Sequence, residues 1–381
     1  MTASPYLLKM QALLDAAQVD WQRWPEQAGR LDALRMAWRL RRAQGAGQVQ
    51  RVPAMDPALD EYPAVPYYTF DGSTFYYDST GLALHLDAAP GDAVPPLVPP
   101  DPASAFLCHL IDEAFDEFGL YLVHHQRWVP SAATTPMGHR TAREFAPLLP
   151  PGVGPLLARR LYRRQANRCP YLFSVAPAGF ACGVARDRTP PARPGFPPTH
   201  ALLEQSWRDY LVAVESVLAR QPFLLGDRFT LADASAYGQL GMNLVDGATT
   251  DKLRELAPRT YDWLRAIEAG EHAGSAGDLA PGASLAPLLA VIGTTFMPLM
   301  AQNLAAYDNA VAAGETLFNE AAFDAGSALY DGELRGQPFR SVVKTFQVAV
   351  WRELRARWAA LPATPRQQLV DLGLAGTNLL D

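Results

Sequence analysis

Asp78, Ser79 and Thr80 bring three side-chain oxygens to the point where an alternating stretch gives way to the helical run Gly81-Leu82-Ala83-Leu84-His85-Leu86. A helix start of this kind carries unpaired amides and the positive end of the helix dipole, so it can hold a carboxylate. Just upstream, two aromatic runs, from Val65-Pro66-Tyr67-Tyr68 and through Phe75-Tyr76-Tyr77, flank Asp71-Gly72. That pattern predicts a strand, a two-residue hairpin turn and a second strand. Another hydroxyl, Ser4, stands before Pro5 at the start of the apolar-periodic run Leu7, Leu8, Met10, Leu13, Leu14, Ala17. The reading from these residues is an N-cap serine with proline at the first helical position.

Further along, Asp116-Glu117 and His124-His125-Gln126-Arg127-Trp128 end a long helical pattern that begins at Asp101-Pro102. Glu117, Tyr121 and His125 share a face at i, i+4 spacing, as do Asp116, Leu120 and His124. Surface ion pairing and the lining of a cleft both fit that spacing. His124 and His125 are neighbours and point apart, so no metal site is expected. Arg159, Arg160, Arg163, Arg164 and Arg168 make a basic amphipathic helix, suited to an anionic ligand or to solvent. Cys169-Pro170-Tyr171 imitates a redox motif, but no strand precedes it and no second cysteine completes it.

The elements that must position these groups fall into blocks. The chain has 381 residues, 49% hydrophobic and 19% charged, which is ordinary for a globular protein of two or three domains. Its net charge of −6 argues against nucleic-acid binding. Cys108, Cys169 and Cys182 form neither a disulfide framework nor a zinc pattern, which points to a reducing, cytoplasmic setting. Lysine is scarce, with only Lys9, Lys252 and Lys344. The uncharged run between Asp278 and Asp308 is broken by Pro281, Pro287 and Pro298, and reads as a buried helix with no membrane partner. Gln18–Trp24 reads as a strand and Ala28–Ala43 as an Arg-rich helix. The proline-rich stretch 89–100 reads as a linker. After it the pattern is helical, with expected helices at 200–220, 285–313, 315–328 and 339–360 and a short one near 364–372.

Gln221-Pro222-Phe223-Leu224-Leu225-Gly226-Asp227-Arg228-Phe229-Thr230-Leu231-Ala232-Asp233 is the most specific run in the chain, and Thr230 with Asp233 has capping-box spacing. This run closely resembles the C-terminal-domain signature of the glutathione S-transferase superfamily, in which Asp233 is buried and structural. The stretch Val65–Thr80 resembles the glutathione-binding half of the same superfamily. The resemblance implies a thioredoxin-like α/β domain at 1–89, an all-α domain at 101–273, and an added helical extension at 274–381. It implies a cis Val65–Pro66 bond with Val65 offering backbone to the cysteinyl part of glutathione. Asp78 and Ser79 would hold the γ-glutamyl carboxylate. Ser4, in the Ser-Pro-aromatic form, matches the catalytic position, with Tyr6 as the second donor. A small hydrophobic electrophile would sit against Tyr121, His124, His125 and Trp128.

The activity implied is that of a glutathione-dependent transferase or lyase, in a homodimer with a detoxification role. A glutathione-transferase-like protein that binds or docks without turnover is the alternative. In a thioredoxin-like domain a central strand precedes the first helix, and Met1–Ala3 cannot supply it. Either the chain starts upstream or that strand is lost.

Overall fold

The computed structural model describes residues 4–61, 66–88, 95–374 and 380. The chain is mostly helical, with two small sheets. Helices α1 (Pro5–Ala16) and α2 (Arg30–Gly45) precede strands β1 (Gln50–Arg51), β2 (Tyr67–Tyr68) and β3 (Tyr76–Tyr77), and helix α3 (Ser79–Asp87) follows. The central strand of this sheet is β3, parallel to β1 and antiparallel to β2. Gln18–Trp24 is irregular chain with a turn at each end rather than the expected strand. The expected two-residue hairpin is also corrected. Register pairs Tyr68 with Tyr76, so seven residues, 69–75, form the loop. Asp71 organises it, accepting bonds from the amides of Ser73 and Thr74 at 2.7 Å each. Side-chain acceptance from nearby amides competes with tight-turn geometry, and here it wins.

Helices α4 (Pro102–Glu113) and α5 (Leu120–Trp128) are joined by a π-helical stretch, Ala114–Gly119. They are followed by α6 (Met137–Glu144), α7 (Gly154–Arg168), α8 (His200–Leu218), α9 (Leu231–Leu240), α10 (Gly247–Leu256) and α11 (Pro258–Glu268). Helix α1 crosses α9 closely because position 238 is glycine. A Cβ there would stand 2.7 Å from the Pro5 carbonyl oxygen and 2.9 Å from Lys9 Cβ. Met10, Leu13 and Ala16 are buried along α1.

The last third contains α12 (Ala286–Thr294), α13 (Phe296–Ala312), α14 (Asn319–Ala325), β4 (Leu329–Leu334), β5 (Gln337–Val342), α15 (Thr345–Ala360) and α16 (Ala363–Leu369). The segment Ala283–Ala312 is long and apolar enough to cross a membrane, and half of its most apolar 18-residue stretch is buried within the fold. Thr295 breaks it, and the Thr295 hydroxyl meets the Tyr210 hydroxyl of α8 at 3.1 Å. The helices expected at 315–328 and 339–360 are shorter, and a β-hairpin lies between them. Arg335 and Gly336, at φ 53° and 74°, make its two-residue turn. Phe296, Phe339, Trp351 and Leu354 join the same apolar core as Phe118, Trp207 and Leu231.

Candidate functional site

The sequence places Asp78 at the start of α3, and the structure gives that residue two duties. Its backbone has φ 77°, its Oδ1 accepts from the Gly81 amide at 2.8 Å, and its Oδ2 pairs with Arg51. Gly81 is obligatory there, since a Cβ would lie 2.4 Å from the Val52 carbonyl oxygen. Ser79 is buried beside it. Thr80 turns the other way, donating to Asp112 Oδ2 at 2.9 Å and accepting from Lys9 at 2.8 Å.

Lys9 is the electrostatic centre beneath this helix start. Its ammonium is fully buried and lies 2.6 Å from both Asp112 Oδ1 and Asp116 Oδ2. Burial alone would discharge the lysine, but the two carboxylates outweigh that cost and raise its pKa. Asp112 also accepts from Ser235 of α9. Asp116 is less well provided for. Its Oδ1 is buried without a hydrogen-bond partner. Burial, only partly offset by Lys9, pushes Asp116 up to about 7. Burial likewise pushes Glu117 up to about 8, against a hydrogen bond from Gln347. Glu113 is raised well above the carboxylate range by burial and then by Asp112 and Asp116.

A cavity of about 530 Å³ opens above these acids. Ser4, Tyr6, Pro66, Asp78 and Ser79 line it from the N-terminal side. Tyr121, His124 and Trp128 line it from α5, and Arg164 and Arg168 from α7. The Val65 position and the Val65–Pro66 bond lie outside the described residues. Among those described, the cis X-Pro bonds are Trp24–Pro25 and Val52–Pro53.

Three expectations are corrected in detail. Ser4 occupies the N-cap position of α1, yet its side chain makes no cap hydrogen bond. Tyr6 donates its hydroxyl proton to the Asp116 carbonyl at 3.1 Å, and burial followed by Glu117 and Asp116 holds its pKa well above the ordinary value. His125 does not line the cavity. One residue along a helix is a turn of about 100°, and His125 bonds Ser174 at 2.8 Å and packs its ring 4.8 Å from that of His200. His124 does line it, bonds Gln165 at 3.3 Å, and is pushed down to about 3 by burial. Cys169, buried beside His124 at 3.9 Å, has its thiol pushed up by burial and is inert.

Some groups at the cavity carried no local signal. Arg127 is buried against Asp246 at 2.8 Å, which makes it scaffold. Lys344, Phe346 and Gln347, just after β5 and in the first turn of α15, enter the cavity wall from far along the chain. The scarcity of lysine was the one hint, since two of the three, Lys9 and Lys344, are buried here. Among the described residues, no group of three His, Cys, Asp or Glu side chains has metal-holding geometry.

At the start of α9 the Thr230–Asp233 capping box is complete. Asp233 accepts from the Thr230 amide at 2.9 Å, the Thr230 hydroxyl at 2.7 Å and the Leu224 amide at 2.7 Å. Residues 187–266, which contain this box, match the family model of the glutathione S-transferase C-terminal domain. That match, confined to this stretch of the chain, supports membership of the glutathione S-transferase superfamily. No curated protein and no solved structure matches it significantly. As in the sequence reading of this superfamily, Asp233 is buried and structural, and it lies outside the cavity that carries the candidate chemistry.

Proposed function

We propose that the protein is a glutathione-dependent transferase or lyase acting on a small hydrophobic electrophile. The observation that carries this reading is the single cavity joining Ser4, Pro66, Asp78 and Ser79 to Tyr121, His124 and Trp128. In this reading the N-terminal part is a reduced thioredoxin-like module. Glutathione lies along Val65–Pro66, its γ-glutamyl carboxylate at Ser79 and the amides of α3. Asp78, already spent on Gly81 and Arg51, shapes that helix start rather than holding the ligand. Ser4 is the donor to the thiolate, because the Tyr6 proton is committed to Asp116. The apolar wall of Trp128, Leu161 and Met137 receives the electrophile. Neutral His124 adds no charge there.

The reactive species is the thiolate, which a charge-assisted hydrogen bond and a helix end stabilise. Glu113, Asp116 and Glu117 line the same space, and their raised pKa values keep part of that wall uncharged near neutral pH. The same acids favour the alternative, a binding protein without turnover, since any carboxylate left ionised opposes a thiolate. Retention on glutathione-agarose, followed by an ultraviolet titration of the bound thiol, separates the two. Retention with a thiol pKa well below that of free glutathione supports catalysis. Retention with an unshifted or raised thiol leaves binding alone, and failure to bind removes both. A homodimer in the cytoplasm and a detoxification role belong to the same proposal.

A further inference from the structure

Lys344 and Gln347 lie outside residues 187–266 and bring polar donors to the cavity from the C-terminal segment. The backbone at Lys344 is clamped by Asn303, which accepts from its amide at 3.0 Å and donates to its carbonyl at 2.9 Å. The next residue, Thr345, is held by Asn319, which accepts from its amide and donates to its hydroxyl, both at 2.9 Å. A side chain mounted on such a clamp is preorganised. The Lys344 ammonium sits over the rings of Tyr121 and Tyr171, at 4.3 Å and 4.5 Å from their centroids. It donates to the Tyr121 hydroxyl and, at 3.0 Å, to the Tyr171 carbonyl. Gln347 donates to the same Tyr121 hydroxyl at 2.8 Å.

Counting donors and acceptors leaves two protons unspent. A phenol has two lone pairs and one proton, and an ammonium has three protons. Both Tyr121 lone pairs are filled, so its proton is free to be given away. Lys344 has spent two protons and holds a third. Among the described residues no hydrogen bond takes up either one. The acids closest in charge to Lys344 already have partners: Glu61 accepts from Tyr171 at 2.5 Å, Glu117 from Gln347, and Glu320 from Arg168 at 2.7 Å. Both Lys344 and Tyr121 line the cavity.

We propose that Tyr121, Lys344 and Gln347 form an oxygen-binding subsite, in which Tyr121 and Lys344 donate to one carbonyl or phenolic oxygen of a ligand. Assigning that oxygen to the electrophile rests on the glutathione reading, whereas the subsite itself does not. With an α,β-unsaturated ketone, the thiolate sulfur gives its electron pair to the β-carbon. The C=C pair shifts toward the carbonyl carbon, the carbonyl pair moves onto oxygen, and that oxygen takes the Tyr121 proton. The Tyr121 phenolate regains a proton from Lys344. Gln347 fixes the hydroxyl and is a positioning residue.

The subsite is tested on the full chain without glutathione, using 4-nitrophenol, whose ionised form is read by absorbance. The wild type is expected to bind it and to lower its pKa by about one unit, a tenfold gain in ionisation. Tyr121→Phe and, separately, Lys344→Met should each cancel that gain. Lys344→Met keeps an unbranched apolar stem in place of the charge, and Tyr121→Phe keeps the ring should Lys344→Met fail to fold. No binding by the wild type, or equal ionisation in the variants, overturns the subsite. Glutathione-agarose retention is run in parallel. Lost retention with intact nitrophenol ionisation removes the transferase reading and keeps the subsite, and the reverse result removes the subsite alone. If glutathione is retained, Tyr121→Phe should lower the ratio of 4-phenyl-3-buten-2-one to benzyl chloride turnover about tenfold. An unchanged ratio overturns the assignment of the oxygen to the electrophile.

Discussion

Asp233 and Asp116 are both buried aspartates in the same helical body, and they differ in what surrounds their oxygens. Asp233 accepts three hydrogen bonds within one turn and from the Leu224 loop. Burial still pushes it up to about 6, but none of its capacity faces a cavity. Asp116 has one oxygen on Lys9 and one with no partner, and it lines the cavity. A saturated buried carboxylate holds the fold together. A half-satisfied one at a cavity wall stays available to a ligand, at a cost the fold must offset elsewhere.

The contrast is tested hardest at Lys9. Lys9→Met removes the cation shared by Asp112 and Asp116 and should cost about 3–5 kcal/mol, the range for breaking a buried pair from one side. Urea unfolding measures this, and a loss below about 1 kcal/mol would mean the two acids are carried neutral without it. Asp233→Ala comes next. It strands the buried amides of Leu224 and Thr230 and should cost about 3 kcal/mol, at 1–3 kcal/mol per unsatisfied donor. Near-wild-type stability would show that the box does not organise α9.

Ser4→Ala is smaller and of another kind. Because Ser4 makes no cap bond, stability should stay nearly level. Turnover per folded molecule should fall about ten- to hundredfold, from a lost charge-assisted bond of about 1.5–3 kcal/mol. Equal turnover in the two proteins would dismiss Ser4 as the thiolate donor.

The smallest expected effect is a slope with pH. Glu117 holds its proton up to about 8 in the folded chain, whereas an unfolded glutamate has lost it by pH 6.5. Over pH 6.5–8 the folded state therefore binds more protons, and stability should fall as pH rises, by about 1 kcal/mol. His124, pushed down to about 3, is neutral in both states across most of this window, and Lys344, lowered to about 8, acts with the opposite sign above it. Asp116, pushed up to about 7, and the raised Glu113 add to the decline with the same sign, so Glu117→Gln should reduce the slope without abolishing it, and an unchanged slope would show that Glu117 does not contribute.

The legible parts of the sequence were those written over short distances. Thr230 and Asp233 are three residues apart and announced their own geometry, and the stripe of α4 did the same. The hairpin of β4 and β5 was missed because residues 339–342 of its second strand fall inside the helix expected at 339–360. The discriminating signal was Arg335-Gly336, a pair able to hold positive φ at both turn positions. The first sheet failed differently, since its strands are two residues long and an acceptor-rich loop overrode the Asp71-Gly72 turn. His125 was misplaced by extending an i, i+4 row past the π-helical stretch. Lys344 could not be read at all, because it reaches Tyr121 across 223 positions, and nothing near it in sequence says where the chain will return.

Lys9 sits on α1, while Thr80 lies on α3, Asp112 on α4 and Ser235, bonded to Asp112, on α9. One ammonium thus ties α1 to α3 and α4 directly and, through Asp112, to α9, more than 200 residues along the chain. If α1 peeled off first, it would leave two buried carboxylates without their counter-charge, which disfavours partial unfolding of α1 alone. Heat therefore meets the N-terminal part and the helical body as one cooperative unit, and a calorimeter should record one melting event for both.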